Sequence, residues 1–334
     1  SANGNGLKTL ADYIHGKGLK FGIHIMRGMP WQAVEKNTAV KGSVFRAKDI
    51  TTKADACTWF HGLVTVDMTK PGAQEYYNSL IEMYAEWGVD YIKADDMLNK
   101  YHQGEIEAVS IAIKRTGRPI VLSLSAGPVS VNRIDHLRQN ANLWRISGDM
   151  WDDWSYIVES LKLCRQWQDY VMPNHWPDCD MLPLGKLRIN GTDGLLAEKI
   201  GLTPQETVNE YSRFTDNEKY SLMTLWSIFR SPLMIGGNLM ELDGLTLRML
   251  TDRDILAVNQ KSTNNREIRF TDSLSIWTAD NMENRMKYIA VMNLSNTPLT
   301  IDLPLEYSGN ANSIRVRDLW NKTGIGKIEN MYAV

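Results

Sequence analysis

Apolar residues recur along this chain in two alternating rhythms. Leu7, Leu10, Ala11 and Ile14 fall on one helical face, Gly16 and Gly18 close it, and the mostly apolar run 19–25 predicts a buried strand. The alternation then repeats. Tyr77, Leu80, Ile81 and Tyr84 precede a strand at 89–94, and Ile106, Val109 and Ile113 precede one at 120–124. A helix near 131–139 leads to 143–146, and the stripe Ile157, Val158, Leu161 and Cys164 leads to a strand placed near 170–173. Thr215 and Glu218 have capping-box spacing for a helix reaching about residue 229, with a strand at 233–235 and a short helix at 252–258 behind it. Helix followed by short apolar strand, about six times over, is the mark of parallel βα units.

Two stretches break the rhythm. Residues 26–67 are polar, rich in Gly, Lys and Thr, without convincing periodicity, and read as a long functional loop whose Trp31, Trp59 and Phe60 are placed to wall a binding site. From about Lys261 onward, strand-like runs at 268–270, 274–278, 287–293, 299–303 and 314–319 are separated by Asn, Ser and Gly, which predicts an antiparallel β domain. The expected organisation is an α/β unit of parallel βα type over 1–262, followed by a small antiparallel, β-sandwich-like domain over 263–334.

Composition narrows the function mainly by exclusion. Among 334 residues the net charge is −2, with no long basic run, which argues against nucleic acid or an anionic membrane as partner. No apolar stretch reaches transmembrane length. Cys57, Cys164 and Cys179 are odd in number and far apart, so they define neither a disulfide framework nor a zinc site. No histidine lies at ligand spacing beside Asp178 and Asp180, and neither a metal nor a cofactor is expected. The eleven tryptophans suit the C–H faces of sugar rings but also suit a large core.

The acids carry more. In α/β barrels catalytic groups gather at the carboxyl ends of strands. Asp95 and Asp96, Asp149, and Asp178 and Asp180 all follow predicted strands, as a pair of carboxylates for glycoside hydrolysis would. Lys93, two residues before Asp95 on the same strand face, would favour an ionised neighbour, and Arg145 precedes Asp149 by four residues and suits a hydroxyl or a carboxylate. Acids at strand ends are also common helix N-caps, the role that best fits Asp96, Asp152 and Asp153. His24, closing its strand, equally fits a core histidine with a backbone partner.

In order along the chain, HGKGLKFGIH ending at His24, WGVDYIKAD ending at Asp95, WRISGD ending at Asp149 and followed by Asp152, Asp153 and Trp154, WPDCDML starting at Trp176, SPLMIG starting at Ser231 and Val258-Asn259-Gln260 resemble segments of glycoside hydrolase family 27. The resemblance covers about residues 6 to 260 and implies a retaining exo-glycosidase of terminal α-galactosides or α-N-acetylgalactosaminides. Asp95 would be the nucleophile and Asp149 the general acid/base, about 5–5.5 Å apart. It further implies that Lys93, Arg145 and Asp180 hold sugar hydroxyls, that Met181 lines the pocket, and that His24 and Trp176 contact substrate. His24 stands where the family often has tyrosine, and Ala94 where it usually has an aromatic. Small Ser125 and Ala126 replace the large acid that meets the sugar 2-hydroxyl in the galactosidases, which makes a 2-acetamido sugar a candidate. The resemblance implies a (β/α)8 TIM barrel over 1–262, but the family's first two strands have no counterpart, so about six of eight barrel strands are expected here and the rest upstream; the compartment is left open, periplasmic or extracellular if that upstream segment carries a signal peptide. The same acids with an altered pocket would serve a β-L-arabinopyranosidase or an isomaltose-releasing enzyme. A carbohydrate-binding homologue without catalysis is the alternative from another class. A barrel acting on phosphorylated substrates ranks below both, since no glycine-rich phosphate loop follows the late strands. The oligomeric state is left open.

Overall fold

Five short parallel strands in the order β1-β5-β6-β7-β8 form the sheet on which the candidate acids are mounted. They are β1 (Gly22–Met26), β5 (Tyr91–Asp95), β6 (Val121–Leu124), β7 (Leu143–Arg145) and β8 (Trp176–Asp178). The computed structural model describes residues 6–188, 203, 208, 210–283, 286–304, 314–328 and 331–333, so the lead-in 1–5 lies outside the described residues. The chain falls into two compact units, residues 1–148 with 172–178, and residues 149–171 with 179–334.

In the first unit, helices α1 (Lys8–Gly16), α3 (Ala73–Glu86), α4 (Gln103–Thr116) and α5 (Ile134–Asn140) alternate with the sheet strands, as the periodicity requires. α3 buries Tyr77 and Ile81, and α4 buries Ile106, Val109 and Ile113. α4 stops at Gly117, whose φ of +69° is the left-handed cap that glycine takes without penalty. Within β5, Ile92 and Ala94 are fully buried while Tyr91, Lys93 and Asp95 are half-buried. Period two therefore sets the lysine and the aspartate on one face, as anticipated. The register aligns His24 with Lys93 and Lys93 with Ser123, and Met26 with Asp95.

Two expectations need correction. The 26–67 stretch is built, not irregular: β2 (Met29–Pro30), α2 (Trp31–Glu35), β3 (Thr51–Thr52) and β4 (Leu63–Val66) give a three-stranded antiparallel sheet in the order β2-β4-β3. Strands of two to four residues are too short to print an alternation. Gly28, at φ +99°, lets the backbone turn where a side chain would come within 2.6 Å of the Val64 carbonyl. The strand placed near 170–173 lies instead at Trp176–Asp178, because Met172 and His175 close a turn on each other through Asn174 at φ +66°. Asp178 is thus inside a strand.

In the second unit, Asp153 caps α6 (Trp154–Trp167) by accepting from the Ser155 amide at 3.0 Å. The capping box at Thr215 and Glu218 forms as expected and starts α7 (Asp216–Phe229). Leu222, Met223, Leu225, Trp226, Ile228 and Phe229 are all buried, which is why this helix shows little polar face. The expected strand at 233–235 appears only as a parallel bridge between Leu182 and Ile235. Aspartate-capped α8 (Gly244–Thr251) and α9 (Arg253–Lys261) lead directly into β9 (Ser262–Thr271). It pairs with β10 (Leu274–Asn281), which pairs with β11 (Lys287–Asn293), around Leu274 and Ile276. β12 (Asp302–Pro304) pairs with β15 (Met331–Ala333), and β13 (Ile314–Arg317) with β14 (Gly324–Ile328), all antiparallel. The fold is thus a TIM-barrel-like α/β part with a C-terminal antiparallel β part.

Candidate active site

Asp95 is the last residue of β5, and its carboxylate is held by three neighbours. Oδ1 accepts the Ser125 hydroxyl at 3.0 Å and the backbone N–H of Asp96 at 2.9 Å, while His24 Nε2 lies 3.5 Å from Oδ2. Burial pushes this carboxyl's pKa up. The bonds from His24, the Asp96 amide and Ser125 outweigh that and hold it below the ordinary aspartate value. A half-buried carboxylate kept ionised at a strand end has the character of a nucleophile. Three of the residues singled out from sequence, His24, Asp95 and Ser125, are therefore brought together. Ser125 is 1% exposed, and its hydroxyl is committed to Asp95.

Asp96 is not the N-cap it was expected to be. It sits at φ +61°, α4 begins only at Gln103, and its carboxylate pairs with Arg27 at 2.8 Å. Arg27, just past β1, also pairs with Glu105 at 2.9 Å, and the Tyr77 hydroxyl donates to the other Glu105 oxygen at 2.6 Å. Burial raises the Glu105 pKa against the opposing pull of Arg27. Sequence reasoning missed this cluster, although a signal existed. Glu105 shares the helical stripe of Val109 and Ile113, and an acid on a buried stripe demands a buried cation.

Arg145 closes β7 and is 2% exposed. Its guanidinium donates to the carbonyls of Gly148 at 2.5 Å and Ser147 at 3.4 Å, bracing the turn that delivers Asp149. Trp176 opens β8, its amide bonded to the Asn142 carbonyl at 2.7 Å. In the second unit Asp149 is exposed at the start of an irregular segment. Asp180, at φ +78° and 7% exposed, accepts the Met150 amide at 2.8 Å, and its own carbonyl accepts Trp226 Nε1 at 3.0 Å. It thereby fixes the backbone next to Asp149. Met181 packs against Gly236, where a side chain would collide with its sulfur. Asp152, expected as an N-cap, instead forms a buried ion pair with Arg188 and accepts the Arg213 amide at 2.8 Å. The cap role falls to Asp153 alone.

A recess lined by His15, Lys20, Asp90 and Arg118 opens at the amino end of β5, the opposite end from Asp95. Asp90 there bonds His15 at 2.7 Å and Arg118 at 2.6 Å, a structural tie between α1 and the sheet. Among the described residues no group of three or more His, Cys, Asp or Glu is arranged to hold a metal ion. No described helix is long and apolar enough to cross a membrane.

Comparison with known proteins adds to this geometry. Residues 58–195 match the family model described as alpha galactosidase A, and residues 271–332 match the alpha galactosidase C-terminal beta sandwich domain. An alpha-galactosidase of Oryza sativa subsp. japonica is 27% identical over 95% of this chain, which spans 63% of that relative's length. The structure of a GH27 β-L-arabinopyranosidase from Geobacillus stearothermophilus superposes with a TM-score of 0.92 at 40% identity, covering 100% of this chain and 75% of that one. A Bacillus halodurans protein assigned as an α-N-acetylgalactosaminidase gives 0.85 at 38% identity, over 100% and 76%.

Proposed function

Because this chain belongs to glycoside hydrolase family 27, we propose that it carries the chemistry of a retaining exo-glycosidase in which Asp95 is the nucleophile and Asp149 the general acid/base. In the first step Asp95 attacks the anomeric carbon, the bond to the aglycone oxygen breaks, and Asp149 gives that oxygen its proton. In the second, Asp149 takes a proton from water, the water oxygen attacks the anomeric carbon, and the bond to Asp95 breaks. The hydrogen bonds on Asp95 support its part. Oδ1 carries two close donors, while Oδ2 has, among the described residues, His24 Nε2 at 3.5 Å, which makes it the more available attacking oxygen.

For the sugar, the favoured substrate is a terminal β-L-arabinopyranoside. The observation that carries this is the 40% identity to a β-L-arabinopyranosidase over the whole of this chain, against 27% to the rice alpha-galactosidase. β-L-Arabinopyranose has the ring configuration of α-D-galactopyranose without the exocyclic hydroxymethyl group, so one pair of carboxylates serves either. The second reading is therefore an α-D-galactoside. A 2-acetamido sugar remains supported by the small side chains of Ser125 and Ala126 and by the 38% identity to the Bacillus halodurans protein.

The test is hydrolysis of aryl β-L-arabinopyranoside, α-D-galactoside and α-N-acetylgalactosaminide by the full-length protein, with Asp95→Asn alongside. The arabinopyranoside should have the highest kcat/KM, with turnover abolished in the variant. A higher kcat/KM on either other sugar would overturn the substrate assignment. Near-normal activity of Asp95→Asn, or no cleavage of any of the three, would overturn the mechanism.

A further inference from the structure

Arg27 is placed to act on Asp95 without touching its side chain. Its own N–H donates to the Asp95 carbonyl at 3.1 Å, extending the pairing of β1 with β5 by one residue. Its Nε donates to both the carbonyl and the carboxylate of Asp96, each at 3.0 Å. The remaining guanidinium donors go to Glu105 at 2.9 Å, Thr65 at 3.3 Å and the Asp55 carbonyl at 2.5 Å. Arg27 is 3% exposed and Asp96 4%, so water does not compete for these bonds.

The consequence lies in the Asp96 backbone. At φ +61° it is in the left-handed region, which aspartate enters more readily than most residues but still at a cost, and the bonds from Arg27 help to offset that cost. Its N–H, which lies in the same peptide plane as the Asp95 carbonyl, donates to Oδ1 of Asp95 at 2.9 Å. Arg27 holds that peptide plane through its own N–H on the Asp95 carbonyl and grips Asp96 beyond it by both the main-chain carbonyl and the side-chain carboxylate, so the turn that carries the amide is held at both ends. Glu105, held in turn by Tyr77, anchors the guanidinium from α4.

We propose that Arg27 is a positioning residue for the nucleophile: through Asp96 it locks the Asp95 carboxylate so that Oδ1 is bonded and Oδ2 is presented for attack. The proposal rests on the assignment of Asp95 as nucleophile. A buried ion cluster is by itself weak evidence for stability, since desolvation offsets much of the attraction. Orientation is where a rigid fork of donors has its largest effect. With the turn released, the carboxylate rotates and its two oxygens exchange roles, and a displacement of about 1 Å at a reacting atom costs on the order of a hundredfold in rate.

The experiment compares parent, Arg27→Met, Arg27→Lys and Asp96→Asn in the full-length protein. It measures kcat and KM per folded molecule on the parent's best aryl glycoside, and hydrogen exchange at the Asp96 amide. Arg27→Met should lower kcat roughly 10- to 100-fold with KM changed less than about threefold, and should speed exchange of the Asp96 amide. Arg27→Lys should recover part of both, because one ammonium cannot reach Asp96 and Glu105 with the same geometry. Should Arg27→Met fail to fold, Arg27→Lys and Asp96→Asn decide on the same two readouts. Folded variants with kcat within about twofold of the parent, or with the Asp96 amide as slow to exchange as in the parent, would overturn the proposal. A parent inactive on every glycoside would instead overturn the glycosidase assignment, and the Asp96 exchange rates would still decide whether Arg27 holds the turn.

Discussion

Replacing Ser125 by alanine separates two roles for that hydroxyl. In the structure it donates to Asp95 Oδ1 at 3.0 Å from a site 1% exposed to solvent. A hydrogen bond to a charged acceptor contributes about 1.5–3 kcal/mol. Oδ1 keeps the Asp96 amide at 2.9 Å, so the carboxylate is not orphaned, and the lower part of that range, about 1.5 kcal/mol, is expected. The loss falls on the ionised form. The Asp95 pKa is held below its ordinary value, by bonds from His24, the Asp96 amide and Ser125 that outweigh burial, and removing one donor must raise it. A depressed carboxyl pKa stabilises the fold at pH above the unfolded-state value, and that stabilisation disappears as pH falls through the folded value. Ser125→Ala should therefore be less stable near neutrality, by about 1.5 kcal/mol in urea unfolding, with the difference shrinking toward acid. The acid limb of kcat/KM on an activated aryl glycoside, which reports the free enzyme's nucleophile, should move to higher pH. An unmoved acid limb together with a raised KM would refute this reasoning and place the hydroxyl on the sugar's 2-position.

Asp149→Ala should slow substrates with poor leaving groups far more than those with activated phenols, because only the former need the proton; an equal loss across a leaving-group series would remove Asp149 from the acid role. Gly127→Ala would put a methyl carbon 2.5 Å from the Ser147 carbonyl and 2.7 Å from that of Arg145, backbone atoms with little freedom to yield; a loss of about 1–3 kcal/mol or more is expected in denaturant unfolding, and a neutral result would mean the turn can move. Thr215→Ala removes the N-cap of α7 and should cost about 0.5–2 kcal/mol, read as a lower unfolding midpoint with unchanged kcat.

Much of this protein is determined by its sequence. The helical stripes and short apolar runs locate α1, α3, α4, α6 and α7 and the strands β1, β5, β6 and β7 within a few residues, because each buries one regular face and periodicity records that face. Caps at Asp153 and Thr215 are equally local, each satisfied within its own first turn. The candidate acids could be picked out as strand-end carboxylates, and the ordered motifs carried the family. What the tertiary structure decided is where polar side chains find partners far away in sequence. Asp96 and Asp152 look like caps, yet each is claimed by an arginine, 69 and 36 residues distant. The small β2-β4-β3 sheet in the 26–67 stretch rests on pairings too short to have a period. That Ser125 bonds Asp95, and that Arg27 holds Asp96 beside it, follows only from the parallel register that sets β1, β5 and β6 side by side. A buried charge must be paired by whatever the fold brings near, and no local pattern says what that will be.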